Sequence, residues 1–232
     1  VPAELLKNVI DATSFAVSRD ELKPALTGVL FRFGSNKLTA VSTDGHRLVR
    51  YTRTDFESGG YSGDLIIPRK FLLFMSAQPS TGLIDLYIGK NHLTAKVGQD
   101  TVLTRLIDER FPDYETVIPK DNENTLRVDK KTLLGAIRRV SIFSNKSTHQ
   151  VALNLKKERC KITTEDPEKS SRATENIPAE YNGDNLSIGY NAEYLKDVVM
   201  HIKGDKAEIK LNTPISAALF SSESTEENID SL

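Results

Sequence analysis

The side chains best suited to chemistry lie together in one short stretch, Thr43-Asp44-Gly45-His46-Arg47-Leu48. A carboxylate two residues before an imidazole could orient that imidazole as a general base. No nucleophile lies nearby in the sequence, although the fold could bring one from elsewhere. The opposing interpretation is a polar hairpin tip whose charged side chains are solvated, as in many surface turns. The stretch alone does not decide between catalysis and a simple turn.

The stretch is predicted to lie at a reversal between two strands, because alternating apolar and polar residues flank it. Strands predicted at about 27–33, 37–42 and 47–54 follow an amphipathic helix over about 1–17. Asp44 and Gly45 suit a tight turn, since glycine accepts a positive φ and aspartate hydrogen-bonds to its own backbone. The turn would place His46 and Arg47 at the rim of a sheet.

Composition narrows the classes of protein. The 232 residues suffice for two domains of about 110 residues or for one large domain. A net charge of −1 gives no overall sign of nucleic-acid binding, so such binding would need locally segregated charge. One cysteine, Cys160, excludes an internal disulfide and a cysteine-based metal site. With no membrane-length apolar run and no signal peptide, the sequence predicts a cytoplasmic protein. No metal and no cofactor are predicted.

One order of elements recurs along the chain about every 60 residues. Helices predicted to begin at Pro2, Pro68, Asp129 and Asn191 each lie between a short strand and a meander. The first unit is expected to lack its opening strand, and the fourth to lack the third strand of its meander. Two β-α-β-β-β units make an α+β domain whose two helices cover one face of antiparallel sheets. The predicted domains are residues 1–120 and 121–232, divided near the polar segment 119–124.

The repeat and four motifs resemble the bacterial DNA polymerase III β subunit, a sliding clamp. The motifs are Thr43-Asp44-Gly45-His46-Arg47-Leu48, Ile67-Pro68-Arg69-Lys70, Arg110-Phe111-Pro112-Asp113-Tyr114 and Pro119-Lys120. The motifs occur in the family's order, and the resemblance runs along the whole chain, which would comprise the second domain and most of the third. The family's first domain and its C-terminal strand would lie outside this sequence.

The resemblance implies a sliding-clamp fold and a protein that performs no catalysis. Clamps of this family encircle duplex DNA as a head-to-tail ring dimer, independently of its sequence. They tether the replicative polymerase and the clamp loader for processive DNA replication, in the cytoplasm at the nucleoid. The alternative is a non-enzymatic, peptide-binding scaffold of the same fold.

The resemblance also implies three surfaces. An apolar pocket between the second and third domains would bind partner peptides through Leu26, Thr43, Gly45, His46, Arg47, Leu48, Pro112, Thr116, Val117, Pro214 and Ala217. Basic side chains would face the DNA, although each one alone could belong to a solvated helix face. These side chains are Lys7, Arg19, Lys23, Arg69, Lys70, Lys130, Lys131, Arg138, Arg139, Lys146, Lys196 and Lys203.

The third implied surface joins the third domain to the first domain of the next subunit. It would contain Ile142 and Phe143, with the acidic Glu165, Asp166 and Glu168 beside them. The alternative for Ile142 and Phe143, given nearly equal weight, is that they belong to the core of their own domain.

Overall fold

The computed structural model describes residues 1–222 and the backbone of 228–231. The chain divides into two compact units, the first formed by Val1–Asp113 and the second beginning at Tyr114. This division lies upstream of the polar segment 119–124 from which the sequence predicted it. The residues after Ser222, where the sequence predicted no further element, include 223–227 and 232, which lie outside the described residues.

The first unit contains two helices and two antiparallel sheets. One sheet has the order β3-β2-β1-β4, and the other has the order β5-β6-β7. Turns of 3-10 helix at Ser14–Ala16 and Pro24–Thr27 connect the first helix to the first strand. The elements are α1 (Ala3–Thr13), β1 (Gly28–Phe33), β2 (Leu38–Thr43), β3 (Leu48–Arg53), β4 (Gly63–Pro68), α2 (Arg69–Ser76), β5 (Asp85–Ile88), β6 (His92–Val97) and β7 (Asp100–Arg105).

The core of the first unit forms where the helices meet the sheets. Val9 and Ile10 of α1, together with Leu72 of α2, are buried against Phe31 on the first sheet and Leu93 on the second. Removal of this apolar surface from water drives the elements together. The core therefore holds the β2–β3 turn, which carries Asp44 to Arg47, on a packed sheet.

The second unit also contains two helices packed with antiparallel sheets. Its sheets have the orders β11-β10-β9-β13 and β12-β8-β14-β15, and a short β16 pairs with β15 at Phe220 and Ser231. The side chains of Asp129 and Asn191 cap the two helices by accepting backbone N–H bonds. The elements are β8 (Asn124–Asp129), α3 (Lys130–Ser141), β9 (Gln150–Lys156), β10 (Arg159–Asp166), β11 (Ser171–Pro178), β12 (Glu180–Tyr181), β13 (Leu186–Asn191), α4 (Ala192–His201), β14 (Lys206–Leu211), β15 (Leu219–Ser222) and β16 (Asn228–Ser231).

Opening strands are exchanged between repeats, which explains why two repeats form one unit. The strand that precedes each of α2, α3 and α4 pairs with the first meander strand of another repeat: β4 with β1, β8 with β14, and β13 with β9. Antiparallel pairing throughout confirms the predicted α+β class. The prediction that the fourth repeat lacks its third meander strand was wrong, because backbone pairing forms β16 where the side-chain pattern is too polar to indicate a strand.

Candidate functional site

The β2–β3 turn is closed by its own side chains. The Asp44 carboxylate accepts hydrogen bonds from the backbone amides of His46 (2.9 Å) and Arg47 (3.1 Å). The Thr43 hydroxyl donates to the carbonyl of Arg47 (2.7 Å) and accepts from the amide of Gly45 (3.1 Å). Gly45 has φ +90°, the left-handed conformation that a side chain disfavours. The turn is therefore a preorganised loop.

Arg47 ties this turn to the segment that follows α1. Its Nε lies 3.2 Å from Asp44 Oδ2, and its Nη2 donates to the carbonyl of Phe15 at 2.9 Å. The guanidinium also lies 5.3 Å from the centre of the Phe15 ring. The side chains of Arg47 and Asp44 are only 10% and 16% exposed. The Asp44 carboxylate thus binds the Arg47 guanidinium and the backbone of the turn. These bonds favour a structural role for Asp44 over the orientation of His46 as a general base.

The other pocket residues of the first unit divide into buried and exposed groups. Leu26 and Leu48 are buried, Leu26 in a 3-10 turn and Leu48 at the start of β3. Gly45, His46 and Pro112 are exposed. Within this unit the predicted aliphatic residues lie in the interior, and Gly45, His46 and Pro112 lie at the surface. Arg47, which the sequence also predicted at the rim, is instead largely buried.

The pocket residues of the second unit are all exposed. Thr116 and Val117 lie at the end of a 3-10 turn, Tyr114–Thr116, near the start of the unit. Pro214 and Ala217 lie in the loop between β14 and β15.

One apolar residue of that loop was missed by the sequence reasoning. Ile215 is 97% exposed, and its neighbours hold the loop in a tight turn. The Thr213 amide donates to the Ser216 hydroxyl at 2.8 Å, and the Ser216 amide donates to the Thr213 hydroxyl at 3.1 Å. The strand after this turn begins only at Leu219, so the Ile215 side chain lies in solvent.

The predicted DNA-facing side chains differ in exposure. Most project into solvent, as expected for long cationic side chains on helices and loops. Exposed are Arg19, Lys23, Lys70, Lys131, Arg138, Arg139, Lys146 and Lys203, and half-buried are Lys7, Arg69, Lys130 and Lys196.

Several of these cations already have partners within their own unit. Arg139 pairs with Glu175 through two bonds, Nη2–Oε1 at 2.6 Å and Nε–Oε2 at 3.0 Å. The hydrogen bonds from Arg139 lower the pKa of the Glu175 carboxyl. Lys196 Nζ lies 2.7 Å from a carboxylate oxygen of Glu193. A cation neutralised in this way attracts phosphate less strongly than its unpaired equivalent.

The predicted subunit seam is a surface in this chain. Ile142 and Phe143 are 76% and 45% exposed just beyond α3, so the alternative that they belong to the core of their unit was wrong. Glu165 and Glu168 are exposed as well. Asp166 is only 1% exposed, and it accepts hydrogen bonds from Asn145 Nδ2 (3.3 Å) and the Glu168 amide (3.2 Å). The expectation that Asp166 faces a partner was therefore wrong, because its carboxylate is buried and hydrogen-bonded inside the unit.

Cys160 is an interior residue. It is completely buried on β10, and this burial raises the pKa of its thiol to about 12. Within residues 1–222, no group of three or more His, Cys, Asp or Glu side chains is arranged to hold a metal ion. None of the helices in the described part of the chain is long and apolar enough to cross a membrane.

Both units match models of one protein family. Residues 1–113 match the central domain of the DNA polymerase III beta subunit, and residues 115–231 match its C-terminal domain. The beta sliding clamp of Pseudomonas putida is 33% identical over 217 residues, which are 93% of this chain and 59% of that protein. The beta sliding clamp of Escherichia coli K12 is 31% identical over 219 residues, 94% of this chain and 59% of that protein.

Solved structures show the same likeness in three dimensions. The DNA polymerase sliding clamp of Pseudomonas aeruginosa, with ligand, matches with a TM-score of 0.94 at 30% identity, over 100% of this chain and 64% of that one. The sliding clamp of Bacillus subtilis matches with a TM-score of 0.93 at 28% identity, over 100% of this chain and 62% of that one. The chain thus spans about three-fifths of the length of the relatives that it matches.

Proposed function

Because this chain belongs to the DNA polymerase III beta subunit family, we propose that it forms part of a DNA sliding clamp. The clamp is a non-catalytic ring dimer that encircles duplex DNA and tethers the replicative polymerase and clamp loader. The observation that supports this most directly is the match of both units, in order, to the central and C-terminal domains of that subunit. The first unit is then the clamp's second domain, and the second unit is its third.

A closed ring stays on DNA without tight binding, so its contacts must be weak enough to let it slide. Cations that contact phosphates provide attraction that is independent of sequence and falls with salt. The exposed basic side chains on and beside the helices suit this role, among them Lys70, Lys131 and Arg138. The net charge of −1 is compatible with it, since only the DNA-facing surface needs a positive excess.

Partner peptides would bind through the surfaces around the β2–β3 turn and the β14–β15 loop. The rigid turn presents Gly45 and His46, and the second unit presents exposed Val117 and Ile215. Apolar side chains beside a few polar groups suit a short peptide that binds through one or two apolar anchors. We assign these residues to binding of the polymerase and the clamp loader, in the bacterial cytoplasm at the nucleoid.

The ring would close at the surface that contains Ile142, Phe143 and Glu168. An exposed apolar pair beside an acidic residue suits a partner surface with apolar and basic side chains. In the family's arrangement that surface lies on the first domain of the next subunit.

Retention on circular DNA tests the proposed function. The full-length protein, loaded on nicked circular DNA by its clamp loader, is expected to remain on circles and to dissociate after the DNA is cut once. The control is a matched linear duplex with bulky blocks at both ends, which should retain the protein. Equal dissociation rates from circular and open linear DNA would refute the clamp and favour the peptide-binding scaffold.

A separate experiment tests the peptide surface. Val117→Asp places a charge on an exposed apolar position without disturbing the core, and it should weaken binding of a clamp-loader or polymerase peptide. We expect a loss of about 1–3 kcal/mol, or roughly 5- to 150-fold in Kd. Met200→Asp, at an exposed apolar position of α4, is the matched control. Equal affinities for the two variants would place the peptide site elsewhere.

A further inference from the structure

Each unit contains a pair of helices in contact, α1 with α2 and α3 with α4. In each pair one helix begins with a basic residue and the other begins with alanine. Arg69 begins α2 and Lys130 begins α3, whereas Ala3 and Ala192 begin α1 and α4. Both basic residues are half-buried, in contrast to most of the cations predicted to face DNA.

The two basic residues make the same kind of contact. Arg69 Nε donates to the carbonyl of Ser14 at 3.2 Å, and Ser14 is the C-terminal cap residue of α1. Lys130 Nζ donates to the carbonyl of Ile202, the C-terminal cap residue of α4. In both units, therefore, the first residue of one helix reaches the C-terminal end of its companion.

Helix ends explain why a cation is favourable there. The last carbonyls of an α-helix lack intrahelical partners, and the helix dipole places partial negative charge on them. A cationic donor satisfies one of these carbonyls and complements that charge. Because the donor belongs to the other helix, the bond also fixes the start of one helix relative to the end of its companion.

The adjacent residues show the opposite arrangement. Lys70 is exposed, and the Lys131 side chain is 85% exposed, with its ammonium 3.8 Å from an equally exposed carboxylate of Asp205. An ion pair of that exposure is weak and is screened by salt. Lys70 and Lys131 thus remain available to a phosphate. Burial, by contrast, lowers the pKa of Lys130.

We propose that Arg69 and Lys130 are positioning residues that join the two helices of each unit. The charge that contacts phosphate at these helix starts is then carried by their neighbours, Lys70 and Lys131. This inference rests on the proposed clamp function, and it divides the basic residues into those that bind DNA and those that hold the helices in place.

Four single substitutions in the full-length protein separate these roles: Arg69→Gln, Lys70→Gln, Lys130→Gln and Lys131→Gln. Arg69→Gln and Lys130→Gln should lower the melting temperature by a few degrees. Their binding to a short linear duplex should keep the wild-type dependence on salt. Lys70→Gln and Lys131→Gln should keep the melting temperature, and each should reduce the slope of log K against log salt by about 0.9 for every phosphate that the protein no longer neutralises.

Conservative variants provide the control. Arg69→Lys and Lys130→Arg retain a cationic donor, so they should restore the melting temperature that the glutamine variants lose. A reduced salt slope with an unchanged melting temperature in Arg69→Gln and Lys130→Gln would overturn the inference, because it would identify both residues as phosphate ligands.

The same variants distinguish failure of the inference from failure of the proposed function. If the wild-type protein neither binds duplex DNA nor remains on circles, the clamp is refuted. The melting temperatures still decide the helix-joining role. Lower values for Arg69→Gln and Lys130→Gln but not for their neighbours support it, and equal values for all four refute it.

Discussion

Arg47→Met is expected to destabilise the first unit by removing the bonds that hold the β2–β3 turn. The variant loses the bond to Asp44 Oδ2 and the bond to the carbonyl of Phe15. It also removes the guanidinium from the largely buried Asp44 carboxylate, to which the backbone amides of His46 and Arg47 still donate. Methionine keeps most of the aliphatic part of the side chain, so the measured effect reports mainly the loss of the guanidinium.

The magnitude follows from the burial of the pair. A hydrogen bond to a charged group contributes about 1.5–3 kcal/mol, and removal of one partner from a fully buried pair costs about 3–5 kcal/mol. With Arg47 and Asp44 10% and 16% exposed, we expect a loss intermediate between these two ranges, about 2–4 kcal/mol. A double-mutant cycle with Asp44→Asn should give a coupling energy of about 1–2 kcal/mol.

The effect can be measured by urea denaturation monitored by far-UV circular dichroism. Tryptophan fluorescence cannot serve as the probe, because the chain contains no tryptophan. The buried thiol of Cys160 reports on the second unit independently, through its reactivity. The loss should appear in the first unit and leave the protection of Cys160 unchanged.

The matched control is Arg32→Met. Arg32 pairs with Asp64 at 3.0 Å on the same sheet, but these side chains are 46% and 48% exposed. Such a pair should contribute no more than about 1 kcal/mol. If Arg47→Met costs no more than Arg32→Met, the buried pair does not hold the turn. Wild-type stability combined with weaker peptide binding would instead make Arg47 a direct peptide contact.

Three further predictions concern other positions. Gly45→Ala should cost about 1–2 kcal/mol in urea denaturation. The added Cβ would meet no atom within 4 Å, so the whole cost comes from the φ of +90°; a neutral result would mean that the turn relaxes. Cys160, whose pKa burial raises to about 12, should react with a thiol reagent only as fast as the second unit opens, and rapid labelling of the native protein would contradict this. Burial lowers the pKa of Lys130 below 10.5, so the unfolded chain binds more protons in the window between the folded value and 10.5. The free energy of unfolding, measured relative to Lys130→Met, should therefore rise with pH through that window, and a fall would refute the sign.

Local patterns in the sequence were sufficient for the elements and for the family. Apolar periodicity and capping residues predicted the starts of all four helices to within one residue in the described chain. Asp44-Gly45 predicted the reversal between β2 and β3, because both residues act on the backbone beside them. The recurring order of elements predicted the α+β class, and the predicted family resemblance is confirmed by the models that match both units.

Contacts between distant residues were decided only by the folded chain. Arg47 meets Phe15, Arg69 meets Ser14 and Lys130 meets Ile202, and in each case the partner is a backbone carbonyl. A carbonyl is present in every residue, so no side-chain pattern marks which one a distant cation will reach. Burial shows the same limit: the family resemblance implied that Asp166 lies in the acidic seam, whereas the fold turns it inward to Asn145. The elements and the family could thus be predicted because they depend on near neighbours along the chain. The roles of individual charges could not, because they depend on long-range packing.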